Sequence, residues 1–178
     1  MAQATAEPVQ NGNSDQILSK ILVAEPISAA AFAPYGKLVE PMPDGAPAGD
    51  VDQALDVSGG RPRFYIMALE HRALTVSRIT RHTRATQVLA AVGGGSWLLA
   101  VAPPGEASEP DPAAIRAFLI PGTVAVLLSC GTWHAGPYFE PAAMSFFNLE
   151  LEDTNVVDHE TCDLAGRFGV SFALQAGG

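Results

Sequence analysis

Short apolar runs dominate the chain after residue 62, and turn residues interrupt every one of them. The runs fall at 63–69, 74–82, 86–92, 96–102, 115–120, 124–128, 144–151 and 170–174, with two earlier ones at 21–24 and 37–39. That is about ten short segments at strand length, and the 3.6-residue period of a packed helix is almost absent. The 17 Gly and 14 Pro residues supply the punctuation. One or two short helices are expected, one of them over 29–32, capped by Ser28 and stopped by Pro34 and Gly36. The pattern predicts an all-β fold, either a sandwich or a barrel. Gly93-Gly94-Gly95 reads as the turn of a hairpin between 86–92 and 96–102, and Pro121-Gly122 as the turn between 115–120 and 124–128.

With 178 residues, 48% of them hydrophobic, the chain can build one core. Residues 1–19 are polar, without Arg and without an apolar h-region, and read as a disordered tail and not a secretory signal. A single domain is expected over 20–175, with 175–178 unstructured and 41–62 a long loop rich in Gly, Pro and Asp. Cys130 and Cys162 lie in no CxxC pair and are expected to stay reduced, which suits a cytoplasmic protein. The net charge of −9 argues against nucleic acid and against an anionic membrane as partners.

The charge is unevenly spread. Arg61, Arg63, Arg72, Arg78, Arg81 and Arg84 fall within 61–84, where Glu70 is the lone acid. A cationic stretch in an acidic chain fits either a solvated strand edge or a site for a small anion. Alternation separates its members: on a strand over 74–82, Leu74, Val76, Arg78, Thr80 and His82 share one face and Arg81 takes the other. On 144–151 the matching face carries Met144, Phe146, Asn148 and Glu150. Both faces start apolar and end polar, as expected of a barrel with a packed floor and a polar mouth.

The spacing from His82 to Gln87 to Gly94 is similar to the second half of the first cupin motif, and Gly131-Thr132-Trp133-His134 resembles the Gly-x-x-His of the second. Thr80 stands where that motif has its first His, Gln87 where it has Glu, and Tyr138 where it has Asn. Two imidazoles without an ionised carboxylate make a poor site for a hard divalent ion; the set His82, His134 and Glu150 is what remains for a metal if one binds.

More of the chain resembles the ureidoglycolate lyase family, a cupin-like β-barrel family. The resemblance is carried by Pro26-Ile27, Phe32 and Tyr35-Gly36, by Arg81-His82 with Thr86-Gln87, by 116–121, by Gly131-Thr132-Trp133-His134, and by Asp158. Segments 63–70 (RFYIMALE) and 148–159 (NLELEDTNVVDH) look closer to plant and algal members. The resemblance implies a carbon–nitrogen lyase of purine catabolism that splits ureidoglycolate into glyoxylate and urea, with no cofactor expected. Under it, His82 and His134 form an acid/base pair, Glu150 raises a histidine's pKa, and Gln87 and Asn148 are orienting donors. Arg63, Arg78 or Arg84 clamps the substrate carboxylate, and Trp133 walls the pocket. His71 and His159 read as surface residues, and Asp158 as a cap on the turn after Leu151. A metal-dependent cupin isomerase or dioxygenase and a non-catalytic anion-binding barrel are the alternatives. Cupin barrels pair through edge strands, so a homodimer is expected, with 63–69 as the edge.

Overall fold

The computed structural model describes residues 17–177. In chain order it contains β1 (Leu18–Pro26), α1 (Ala29–Phe32), β2 (Gly36–Val39), α2 (Asp50–Ala54), β3 (Pro62–Glu70), β4 (Thr75–Val76), β5 (Arg78–Arg81) and β6 (Gln87–Ala91). There follow β7 (Trp97–Ala102), β8 (Arg116–Ile120), β9 (Ala125–Leu128), β10 (Trp133–Tyr138), β11 (Ala143–Leu151), α3 (Thr154–Val157), β12 (Glu160–Asp163), α4 (Leu164–Phe168) and β13 (Val170–Ala176). Strands dominate and the helices are single turns, as the interrupted apolar runs require. Ser28 caps α1 as expected, its hydroxyl accepting from Ala31 N at 3.2 Å. The loop expected over 41–62 holds the short helix α2.

The strands form two sheets. The longer runs β12-β5-β10-β7-β8-β1-β13-β4 and the shorter β2-β9-β6-β11-β3. Pairing is antiparallel except along β1, which lies parallel to both β13 and β8. The longer sheet curls, because Val76 at one edge and Ile79 and Cys162 at the other belong to the same apolar cluster. The fold is all-β as expected, and this curvature shapes it into a half-barrel. The second core fills the space between the two sheets, around Phe32, Trp97, Phe118 and Phe146. Strand β7 serves both: Leu98, Ala100 and Ala102 enter the first core, Trp97, Leu99 and Val101 the second. All six of its residues are buried, which a strand covered on both faces demands.

Three expectations are corrected by this topology. The expected hairpin of 86–92 with 96–102 does not form, since β6 lies in the shorter sheet and β7 in the longer, and the turn at Pro121-Gly122 likewise joins β8 of the longer sheet to β9 of the shorter. Both turns instead carry the chain from one sheet to the other, side by side. A Cβ on Gly122 would stand 2.2 Å from the Gly94 carbonyl carbon, so the crossing needs glycine there. The strand expected over 74–82 breaks at Ser77 into β4 and β5, and alternation restarts. Val76 therefore faces the first core while Arg78 and Thr80 face away from it, so Val76 and Arg78 do not share a face. The end of the chain is not loose through Ala176: Gln175 and Ala176 pair with Val23 and Ala24 in β1.

The tail expected over 1–19 lies, for 1–16, outside the described residues; Leu18 and Ser19 already belong to β1. No helix among the described residues is long and apolar enough to cross a membrane. Cys130 and Cys162 are free thiols.

Candidate active site

Direct opposition in the ladders places the polar side chains. His134 on β10 sits across from Thr80 on β5, and Thr80 across from Thr161 on β12. Opposed residues share a face, so these three, together with Arg78 two residues from Thr80, point to the side of the longer sheet away from the first core. A cleft of about 600 Å³ opens there, lined among others by Arg72, Arg78, Thr80, His134, Tyr138 and His159. His82, just past the end of β5, and Gln87, at the start of β6, meet His134 beneath the cleft, beside Ser129 and Thr132.

The two deep histidines are held in one tautomer. His82 Nδ1–H donates to the backbone carbonyl of Asp158. His134 Nδ1–H donates to the Thr132 carbonyl at 3.1 Å. A carbonyl only accepts, so each neutral ring carries its proton on Nδ1 and a lone pair on Nε2. The rings lie 5.1 Å apart. Burial, then the neighbouring His82, push the His134 pKa from 6.5 down to about 4, with the Thr132 bond opposing. His134 is thus neutral at pH 7 although one edge of it reaches the open cleft.

Asp158 earns its burial as a cap on the turn that carries His82. Its carboxylate accepts from Thr83 N at 2.8 Å, Thr83 Oγ1 at 3.0 Å and Arg84 N at 2.9 Å. One residue thereby fixes the loop through its side chain and the His82 ring through its main chain. It caps the turn after β5, not one after β11.

The histidine whose pKa Glu150 raises is His159, and the carboxylate itself anchors a separate buried network. Its oxygens accept from Tyr65 Oη, Gln87 Nε2 and Asn148 Nδ2, each at 3.1 Å. It bonds to neither His82 nor His134, so it is not the hydrogen-bonding partner of either ring. Gln87 Nε2 spends its second hydrogen on Asn148 Oδ1 at 3.2 Å, and Asn148 Nδ2 also reaches Tyr65 Oη at 3.0 Å. Both amides are thus committed as donors to this buried network and are not orienting donors for a ligand. Because a carboxylate anchors the network, the Gln87 amide cannot be reversed, and its Oε1 is left buried without a partner.

The arginines separate cleanly. Arg78 enters the cleft and forms no ion pair with any described residue. Arg72 joins it, held with its guanidinium 4.3 Å over the Tyr138 ring and 3.3 Å from Pro137 O. Of the other two expected clamps, Arg63 lies outside the cleft, 3.9 Å over Tyr65, and Arg84 is spent on Asp153 at 3.0 Å and Gly59 O at 2.7 Å. Arg81 is buried on the opposite face, paired with Glu160 at 2.7 Å and lying over Trp133 at 4.7 Å. Trp133 is 2% exposed in the first core and does not wall the cleft.

His159, expected to be an ordinary surface residue, is exposed but lines the cleft, its ring 5.4 Å from His82. Neither it nor Arg72 carried a spacing signal; both precede strands whose register only the folded sheet fixes. Among the described residues no group of three or more His, Cys, Asp or Glu is placed to hold a metal ion. With the Glu150 oxygens taken up by Tyr65, Gln87, Asn148 and Asn155, the set His82, His134 and Glu150 does not fit one.

Comparison with known proteins decides the family. The model of the family described as ureidoglycolate lyase matches residues 19–165. The chain belongs to the ureidoglycolate lyase family. A ureidoglycolate lyase of Azotobacter vinelandii is 33% identical over 127 residues, covering 65% of this chain and 75% of the relative. One from Burkholderia mallei is 32% identical over 127 residues, covering 65% and 73%. These relatives are bacterial, so the closer likeness to plant and algal members expected from 63–70 and 148–159 is not borne out. Among solved structures, a Bacillus subtilis oxalate decarboxylase aligns at TM-score 0.39 with 10% identity over 79% of this chain and 30% of that one. A dTDP sugar isomerase from Desulfovibrio desulfuricans aligns at 0.41 with 14% identity over 73% and 85%. Membership of the ureidoglycolate lyase family rests on the sequence match.

Proposed function

We propose that this protein is a lyase that cleaves ureidoglycolate into glyoxylate and urea. The observation that carries the reading is the cleft itself, which sets an unpaired guanidinium, Arg78, on the same wall as a neutral imidazole whose basic nitrogen is free. Ureidoglycolate has a carboxylate, a carbinol hydroxyl and a ureido nitrogen on one carbon. Arg78, with Arg72 beside it, holds the carboxylate, which a planar guanidinium matches in geometry. His134 Nε2 takes the hydroxyl proton as the carbonyl forms and the carbon–nitrogen bond breaks. The elimination consumes no water and changes no oxidation state. Purified protein incubated with ureidoglycolate should release urea and glyoxylate in equal amounts; release of ammonia in place of urea, or no release, overturns the reading.

Two placements accompany it. Free thiols at Cys130 and Cys162 suit the reducing cytoplasm. A homodimer would form through β3, the edge strand of the shorter sheet, where Phe64 and Ile66 stand exposed beside Phe147. A monomer in sedimentation equilibrium would count against that pairing.

A further inference from the structure

Elimination moves two protons, one off the hydroxyl and one onto the departing nitrogen, and the two deep histidines are suited to only one of these transfers. In His82 and His134 alike the Nδ1 proton is committed to a backbone carbonyl. His134, neutral at pH 7, offers its Nε2 lone pair as an acceptor, and His82 lies beneath the cleft and does not line it. Urea nitrogen is a poor leaving group without a proton, so a donor is required elsewhere in the cleft.

We propose that His159 is the general acid that protonates the departing urea nitrogen. Three observations support this, and the argument rests on the lyase reading above. His159 lines the cleft that Arg78 and His134 line, so it can touch a ligand held between them. Its ring makes no hydrogen bond to any described residue, so both nitrogens are free to face a ligand or solvent. It is exposed, so it can recover a proton from water after each turnover, which the buried His82 cannot.

The step balances. The hydroxyl proton passes to His134 Nε2 and the O–H electrons form the carbonyl of glyoxylate. The C–N bond breaks, its pair stays on nitrogen, and that nitrogen takes the proton of the His159 cation. His134 and His159 then return to their starting states by exchange with solvent. The charged and titratable groups around His159 are His82, which disfavours its cation, Glu150 and Asp158, which favour it, and His134, Arg78 and Arg72 along the cleft wall. Burial and His82 hold its pKa below 6.5 against the two carboxylates.

The test is His159→Ala, with thermal unfolding to confirm an intact fold. On ureidoglycolate, kcat should fall by about two to four orders of magnitude with KM nearly unchanged. Added imidazole should restore turnover saturably, because the position is open to solvent. With an N-phenyl ureido substrate, whose leaving group needs less help, the loss should shrink at least tenfold. The alkaline limb of the wild-type pH–rate profile should vanish in the variant. If His159→Ala keeps kcat within twofold, or loses equally on both substrates without rescue by imidazole, the role is overturned. If the wild-type chain releases no glyoxylate, the lyase reading falls first and the role with it.

Discussion

Acidification from pH 7 to pH 4 should destabilise this fold through His134 in a way that substitution can isolate. The unfolded ring titrates near 6.5 and the folded one near 4. A depressed folded value means that the unfolded chain binds the proton first. The stabilisation is therefore fully present above 6.5 and is lost as pH falls toward 4. At about 1.36 kcal/mol per unit, the 2.5-unit difference is worth about 3.4 kcal/mol in full. About 3 kcal/mol of it falls between pH 7 and pH 4. The control is His134→Asn, whose side-chain N–H can still donate to the Thr132 carbonyl but cannot titrate. Urea unfolding of both proteins at pH 7 and pH 4 gives the double difference directly, and titrations common to both cancel. The wild type should lose about 3 kcal/mol more than the variant. Equal losses would mean that the His134 ring is as well solvated folded as unfolded, and the account of His134 as a desolvated neutral imidazole would fail.

Arg78→Ala should raise KM for ureidoglycolate by about ten- to a hundredfold, since it removes an unshared guanidinium from the carboxylate, while Arg84→Ala should leave KM unchanged; initial-rate kinetics on both distinguish the cleft arginine from the structural one. Asp158→Ala leaves the Thr83 and Arg84 amides without their acceptor and should cost about 1–3 kcal/mol in urea unfolding, with a fall in kcat as His82 loses its anchored loop. Trp133→Ala should cost about 3–5 kcal/mol by opening a core cavity, and Trp133→Phe should keep kcat/KM within about threefold; a large catalytic loss in the phenylalanine variant would return Trp133 to the pocket wall. If His134 is the base, kcat/KM should decline on the acid side only as pH approaches 4, not near 6.5.

How much of this the sequence carried depends on whether the signal was local. Ser28 caps its helix, the β-class follows from short interrupted runs, and the family motifs bring His82, Gln87 and His134 together, because each depends on neighbours a few residues away. Sheet membership was not local. A glycine triplet permits a hairpin turn and a crossing between sheets equally well, and only the second core decides between them. One sequence signal did exist: Trp97–Ala102 is apolar at every position, and a strand without alternation is covered on both faces. A hairpin on the rim of a single barrel would have left one face to water.

The break at Ser77 had the largest consequence for the site. Alternation is counted from an origin, and one irregular residue resets it. The unbroken reading of 74–82 aligned Arg78 with apolar Val76 and Leu74; the folded chain sends Val76 inward and Arg78 out beside His134. The pairing of Arg78 with the histidines survived only because both lie beyond the break, where the count from Arg78 to His82 is undisturbed. Arg72 lies before it and was invisible to the same count, although it stands on the same cleft. His159 entered through a different route, the short turn α3 that follows β11 and returns the chain to β12 beside His82. Charge had marked the arginines as a group, but the register of β5 against β10 sorts them, putting Arg78 in the cleft and Arg81 beneath Trp133. The face on which Arg78 stands is therefore set by strand pairing, and a substitution that shifted β5 by one residue would turn Arg78 toward the first core and Arg81 toward the cleft.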